Sequence, residues 1–225
     1  MALTWSIDVA GNGNPAQFFF ARGRFQSAAR TADSFALTLT GDLLFGLGLG
    51  VDPPINDEWG RCVIPRTTRT HVGRLVAIDD WDFYAARLAS TPDTSDVVIL
   101  HDIGEVTEVL LENAPESSVW PGHPEVVHWC GLRRGDRLVS TGALVRWESG
   151  LHVLASITTR REERGKGFAG RLVRGMMARA RDEGVEWLGL GVASSNHVAH
   201  RVYQRAGFSL RTSFRTFSRS NASNT

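Results

Sequence analysis

The chain has 225 residues, 42% of them hydrophobic, enough for one large domain or two small ones with a real core. Basic and acidic residues nearly cancel, 25 against 24, so no global field favours nucleic acid or an anionic membrane, and any anion site must be local. The opening MALTWSIDVAGNGNP lacks a basic region followed by an apolar stretch, and no apolar run is long enough to span a bilayer, which leads us to expect a cytoplasmic protein without membrane partners. Cys62 and Cys130 are too few for a disulfide framework and lack zinc-knuckle spacing, so buried thiols and no metal site are expected.

In chain order, SFALTLTGDLLFGLGLGV shows strand alternation at Phe35, Leu37 and Leu39, VDPPINDEWG reads as a loop, and DDWDFYAARLAS predicts a short capped helix. Residues 1–95 are therefore expected to form a smaller α/β unit, and they contain no evident catalytic grouping. DVVILHD at 96–102 is a short strand, and Asp102 with Glu105 has the spacing of a capping box opening the helix IGEVTEVLLENA. Residues 126–159 read as three strands separated by RRGDR and ESG. From Phe168 the period changes. Phe168, Ala169, Leu172, Val173, Met176, Met177 and Ala180 recur at helical spacing until DEG stops the run. A strand (VEWLGLGVA), a helix with an Asn or Ser cap (SNHVAHRVYQRAG) and a final strand (FSLRTSFRTF) follow, and 218–225 reads as a loose tail.

The loop RGKGFAGRL at 164–172 supports two nucleotide readings. Gly165, Gly167 and Gly170 spell G-x-G-x-x-G, whereas Arg164, Gly167 and Ala169 spell R-x-x-G-x-A. A dinucleotide fingerprint needs its first glycine directly off a strand end, and an acid at the end of the next strand. Here the polar run TTRREER intervenes, and Glu186 stands at that strand's start. The second spelling is continued downstream by Asn196, Ala199, Tyr203, Gly207 and Phe208, an N-x-x-A-x-x-x-Y-x-x-x-G-F series. Together these residues resemble the GNAT superfamily of acyl-CoA-dependent N-acyltransferases, over about 96–217.

The resemblance implies a GNAT fold, an α/β (α+β) protein with a mixed central sheet flanked by helices. The acyltransferase domain would span 96–217, the N-terminal unit 1–95, and a flexible tail 218–225. A degenerate second copy of the fold, as tandem members of the superfamily have, is one reading of the N-terminal unit, though no residues in it establish that. Acetyl-CoA would be the co-substrate, with the backbone of Ile157, Thr158 and Thr159 pairing to the pantetheine arm. Arg164, Gly165, Lys166, Gly167, Phe168 and Ala169 would hold the pyrophosphate, where small residues let N–H groups approach and the following helix points its positive end at the phosphates. Asn196 would bind the arm or place its helix. Tyr203 would protonate the departing thiolate, since a phenol of pKa about 10 is protonated at neutral pH. The acceptor would be an amine, on a small molecule or on a protein or peptide.

One position departs from the family pattern. Many members carry a glutamate on the strand before the loop to take the amine's proton, and the corresponding residue here is Val153. Glu148, Glu125, His128, His101 and solvent are the candidate bases, and His152 should face away from Val153. Cys130 is expected to be buried, without an acyl-cysteine role. An acyl-CoA-binding module without turnover, and a transferase for a longer acyl-CoA, are the alternative functions.

Overall fold

The computed structural model describes residues 24–40, 44–88, 96–147 and 150–219. Eleven strands form one sheet in the order β1-β2-β3-β4-β11-β5-β10-β9-β8-β7-β6. The strands are β1 (Arg24–Arg30), β2 (Ser34–Thr40), β3 (Phe45–Gly50), β4 (Arg61–Pro65), β5 (Leu75–Arg87), β6 (Val98–Leu100), β7 (Val126–Arg134), β8 (Arg137–Arg146), β9 (His152–Thr159), β10 (Trp187–Ala193) and β11 (Ser209–Arg219). The helices are α1 (Ile103–Asn113), α2 (Phe168–Asp182) and α3 (His197–Arg205). This is the mixed sheet flanked by helices that the sequence implied. Val106, Val109 and Leu110 of α1 join the core on one face, with Trp81, Phe83, Val153 and Phe214, and α2 packs Leu172, Val173 and Met176 into the core on the other, with Tyr84, Leu188 and Tyr203.

Local chemistry starts the helices where the sequence suggests. The Asp102 carboxylate accepts from the N–H groups of Gly104 and Glu105. Only half of the expected capping box forms, because the Glu105 carboxylate instead accepts from Arg133 and from the N–H of Leu138. Asn196 caps α3 by accepting from the N–H of Ala199 at 3.1 Å.

Two expectations are corrected. The helix expected over 79–90 does not form in its described part, 79–88: residues 75–87 form β5, hydrogen-bonded to β11 on one side and β10 on the other. Trp81, Asp82, Phe83, Tyr84, Ala85 and Ala86 are all buried, so a central strand covered on both faces loses its period-2 alternation and mimics helical spacing. The strand is also chosen by its neighbours, since β10 and β11 would otherwise have unpaired edges facing each other. The last strand runs past the expected tail boundary, with Ser218 and Arg219 paired to Val76 and Leu75, while 220–225 lie outside the described residues.

Among the described residues before 89 every element is a strand, and these strands continue the sheet of the C-terminal segment. The sheet repeats one plan about its centre. Outward from the β11–β5 pair, β4, β3, β2 and β1 on one side and β10, β9, β8 and β7 on the other follow the same order: antiparallel, parallel, antiparallel, antiparallel. A pseudo-two-fold axis passes through the Trp81–Phe214 pair and exchanges the pair Asp79–Thr216 with Phe83–Thr212. Each half thus lends its last strand to the other. Where the C-terminal half inserts α2 and α3, the N-terminal half has only the connections 51–60 and 66–74, and Trp59 lies against Gly46 so closely that a Cβ there would sit 2.1 Å from the ring.

Candidate active site

The strand β9 creates the site by leaving its neighbour. It pairs with β10 only over His152–Leu154 against Leu188–Leu190, and then diverges. The divergence coincides with a bulge. Between the pairs Ala143–Ala155 and Thr141–Thr158, β9 carries one more residue than β8, and Ser156 there has φ 52°. This left-handed residue is secured by its hydroxyl, which donates to the carbonyl of Val119 at 2.7 Å and accepts from the N–H of Val119 at 3.3 Å. From Ala155 onward no described strand pairs with the edge of β9 facing β10, so its backbone groups, apart from the Thr159 carbonyl held by Arg164, are available to an extended ligand.

A groove of about 410 Å³ follows this free edge. Ile157, Thr158 and Thr159 form one wall, Ala169 and Arg164 one end, and Asn196, Ala199 and Tyr203 the opposite wall. Gly165 and Gly167 precede α2 with φ 76° and 83°, a left-handed backbone that favours glycine, and open space surrounds both α-carbons. No side chain caps α2, and its first turn holds no acidic residue, so its leading N–H groups suit an anion.

The charged residues of the loop are partly committed elsewhere. Arg164 donates to the carbonyls of Thr159 at 3.1 Å and Asn113 at 3.0 Å, which uses two of its five N–H bonds and ties the loop to β9 and α1. The Lys166 ammonium donates to Glu163 at 2.9 Å, and this bond, with Arg134 nearby, holds the Glu163 carboxyl below its ordinary pKa. Phe168 opens α2, with the Arg171 guanidinium over its ring at 5.2 Å. Asn196 spends its side-chain oxygen on the cap, which leaves its NH₂ donors for a ligand.

Tyr203 is 8% exposed and packs edge-on to Phe208. Burial pushes its phenol up to about 12, so it is fully protonated at neutral pH. Among the described residues its hydroxyl has no hydrogen-bond partner.

A second cavity, of about 720 Å³, meets the groove at Ile157 and Tyr203. Its walls include Phe45, Trp81, Trp147 and Val153, and its lining holds a guanidinium side chain, Arg61, and two carboxyl side chains, Asp79 and Glu116. Val153 lines this cavity where the family pattern places glutamate, and His152 faces the other way along the strand, its imidazole held below the ordinary value by burial and by Arg146. The candidate bases among the described residues lie elsewhere. His128 bonds to Glu183 at 2.8 Å, Glu125 sits 3.9 Å from His123, neither they nor His101 line the cavity, and Glu148 is outside the described residues. Cys130 is buried away from both cavities with its thiol pushed up to about 11. Sequence reasoning missed Asp79, Glu116 and Arg61, whose only signal was a shared cavity assembled from distant segments.

Comparison with known proteins agrees with this geometry. Residues 98–208 match the model of the acetyltransferase (GNAT) family. This segment of the chain is a domain of the GNAT acetyltransferase family. No curated protein matches the chain. Among solved structures, a GCN5-related N-acetyltransferase from Kribbella flavida superposes with a TM-score of 0.59 at 13% identity, over 89% of this chain and 91% of that one. A protein assigned to the GNAT family from Novosphingobium aromaticivorans gives 0.55 at 22% identity, over 85% and 77%. One from Sphaerobacter thermophilus gives 0.55 at 16% identity, over 82% and 76%. These likenesses establish the shared fold, and they extend over the N-terminal strands as well as the matched domain.

Proposed function

We propose that the protein transfers the acetyl group of acetyl-CoA to an amine by direct attack on the thioester. The observation that carries this reading is the meeting of the two cavities at Ile157 and Tyr203. A groove with a free strand edge and a helix N-terminus suits a long, phosphate-bearing arm, and it ends where a second cavity opens for another reactant. Bound there, coenzyme A supplies the activated acyl carbon and a thiolate leaving group. The chain's residues supply the rest: β9 pairs with the arm, the 164–169 loop and α2 hold its phosphates, and the cavity presents the amine.

In the transfer, the neutral amine nitrogen forms a bond to the carbonyl carbon, the C–S bond breaks with its electron pair leaving on sulfur, and nitrogen loses one proton while sulfur gains one. Water or a carboxylate of the cavity accepts the proton from nitrogen. Tyr203 donates a hydrogen bond toward the sulfur. Burial that lifts the phenol also lifts a thiol leaving in the same dry site, and a thiolate is already a tolerable leaving group. Stabilising the developing thiolate by a donated hydrogen bond is therefore the larger part of its role.

A binding module without turnover draws support from Val153, but a second cavity that shares Ile157 and Tyr203 with the groove and has carboxyl groups in its lining favours turnover. Calorimetric titration with acetyl-CoA tests binding, and free-thiol release across a panel of amines tests transfer. Binding without release for any amine would favour the module.

A further inference from the structure

The larger cavity takes one side of its lining from Thr40, Phe45, Arg61, Val63, Asp79 and Trp81, all in the N-terminal half. We propose that this half selects the acceptor, and that the acceptor is a primary amine on a single aromatic or bulky apolar body with no second cationic group. The proposal rests on the acetyl-transfer reading of the same site.

Three features define the acceptor. First, Asp79 stands at the reacting end. Trp81 pairs with Ala193 at the end of β10, and Asp79 lies two residues further, toward Asn196 and α3, where the N–H of Ser194 donates to the carbonyl of Asp80. The Asp79 side chain makes no hydrogen bond or ion pair with any described residue, and neither does Glu116, so two carboxylates await an ammonium and one of them is placed to take its proton. Second, the rings of Phe45, Trp81 and Trp147 wall the space beyond, which suits a flat or branched apolar body.

Third, the Arg61 guanidinium stands on the same lining, also without a partner among the described residues. Asp79 pairs with Thr216, Thr216 with Val63, and Arg61 lies two residues along β4, which puts the α-carbons of Asp79 and Arg61 about 12 Å apart from strand spacing and rise. One bound ammonium balances Asp79 and Glu116 against Arg61, so the second cation of a polyamine or a basic peptide would meet the Arg61 charge with no carboxylate left to offset it, which selects against it.

The test uses the full chain and free-thiol release from acetyl-CoA with 2-phenylethylamine, spermidine and a lysine-containing peptide. Wild type should favour 2-phenylethylamine in kcat/KM by about tenfold or more, within the range a hydrophobic pocket discriminates. Asp79→Asn, at an exposed position that leaves the fold alone, should raise KM for that amine by about tenfold while the Kd for acetyl-CoA stays within about twofold. Arg61→Gln should raise kcat/KM for spermidine. Preference for spermidine or the peptide, or an unchanged KM in Asp79→Asn, overturns the proposal while leaving acetyl transfer standing. Failure of wild type to bind acetyl-CoA overturns both.

Discussion

Trp81 of β5 stacks on Phe214 of β11 with ring centroids 4.8 Å apart and planes inclined by 26°, at the pseudo-two-fold centre of the sheet. Both rings are buried, and the indole N–H of Trp81 donates to the Thr216 hydroxyl at 3.1 Å. The pair joins the strand each half has lent to the other, so neither half retains a complete sheet alone. On the same strand, Asp82 accepts from Arg66 at 2.7 Å and lies 3.7 Å from His200 of α3, whose other ring nitrogen meets the Tyr84 hydroxyl at 2.9 Å. The helix carrying Tyr203 is thus held by β5.

A chain beginning at Asp96 should therefore fail to fold, although it contains the whole matched family segment. Without β5 it leaves β10 and β11 with unpaired edges and uncovers Phe214. Circular dichroism on heating should show no cooperative transition. A sharp transition with retained acetyl-CoA binding would mean that the N-terminal strands are dispensable. In the full chain, Trp81→Ala should cost about 3–5 kcal/mol, read as a lowered urea midpoint.

Gly167→Val should weaken acetyl-CoA binding by about tenfold or more while leaving most of the stability. The space around Gly167 is open, so the obstacle is its φ of 83°, which costs an L-residue about 1–2 kcal/mol and more for a β-branched side chain. Relieving that strain turns the first N–H groups of α2 away from the groove. Calorimetry on the folded variant decides the matter, and unchanged affinity would remove the loop from the cofactor site.

Tyr203→Phe keeps the ring and its packing on Phe208 and deletes only the hydroxyl, which bonds to no described residue, so stability should barely change. Turnover, measured where chemistry limits the rate, should fall by about ten- to a thousandfold, with a much smaller change in cofactor affinity. Because burial lifts the phenol to about 12, wild type and variant should have the same pH profile up to about pH 10, displaced only in height. Full turnover in the variant would leave Tyr203 as a packing residue.

His152 should make stability depend on pH. Burial, reinforced by Arg146, lowers its pKa from 6.5, so the folded state binds this proton more weakly than the unfolded chain does. Its contribution is then complete above the unfolded value and is lost as the pH falls through 6.5 toward the folded value. Between about pH 7 and about pH 5 the urea midpoint of wild type should drop more than that of His152→Gln. Parallel curves would show that the imidazole titrates alike in both states.

The parts of the fold governed by near neighbours can be read along the chain. The caps Asp102 and Asn196, the left-handed Gly165 and Gly167, the amphipathic period of α2, the breaks that separate β7, β8 and β9 and the register that brings Asn196 and Tyr203 to one groove each depend on a few residues along the chain. For that reason the grouping of Ile157, Arg164, Ala169, Asn196 and Tyr203 along one groove was legible, as was Val153 at the position where the family pattern has glutamate. That 75–87 is a strand follows from tertiary structure: Trp81 to Ala86 are buried, and the strands that pair with the two edges of this segment, β10 and β11, come from more than a hundred residues away. The same holds for the larger cavity, in which Arg61 and Asp79 share a lining with Glu116, Trp147 and Tyr203. Such juxtapositions arise from strand order, and strand order is set by which apolar faces and backbone edges satisfy one another across the whole sheet, which no local pattern encodes.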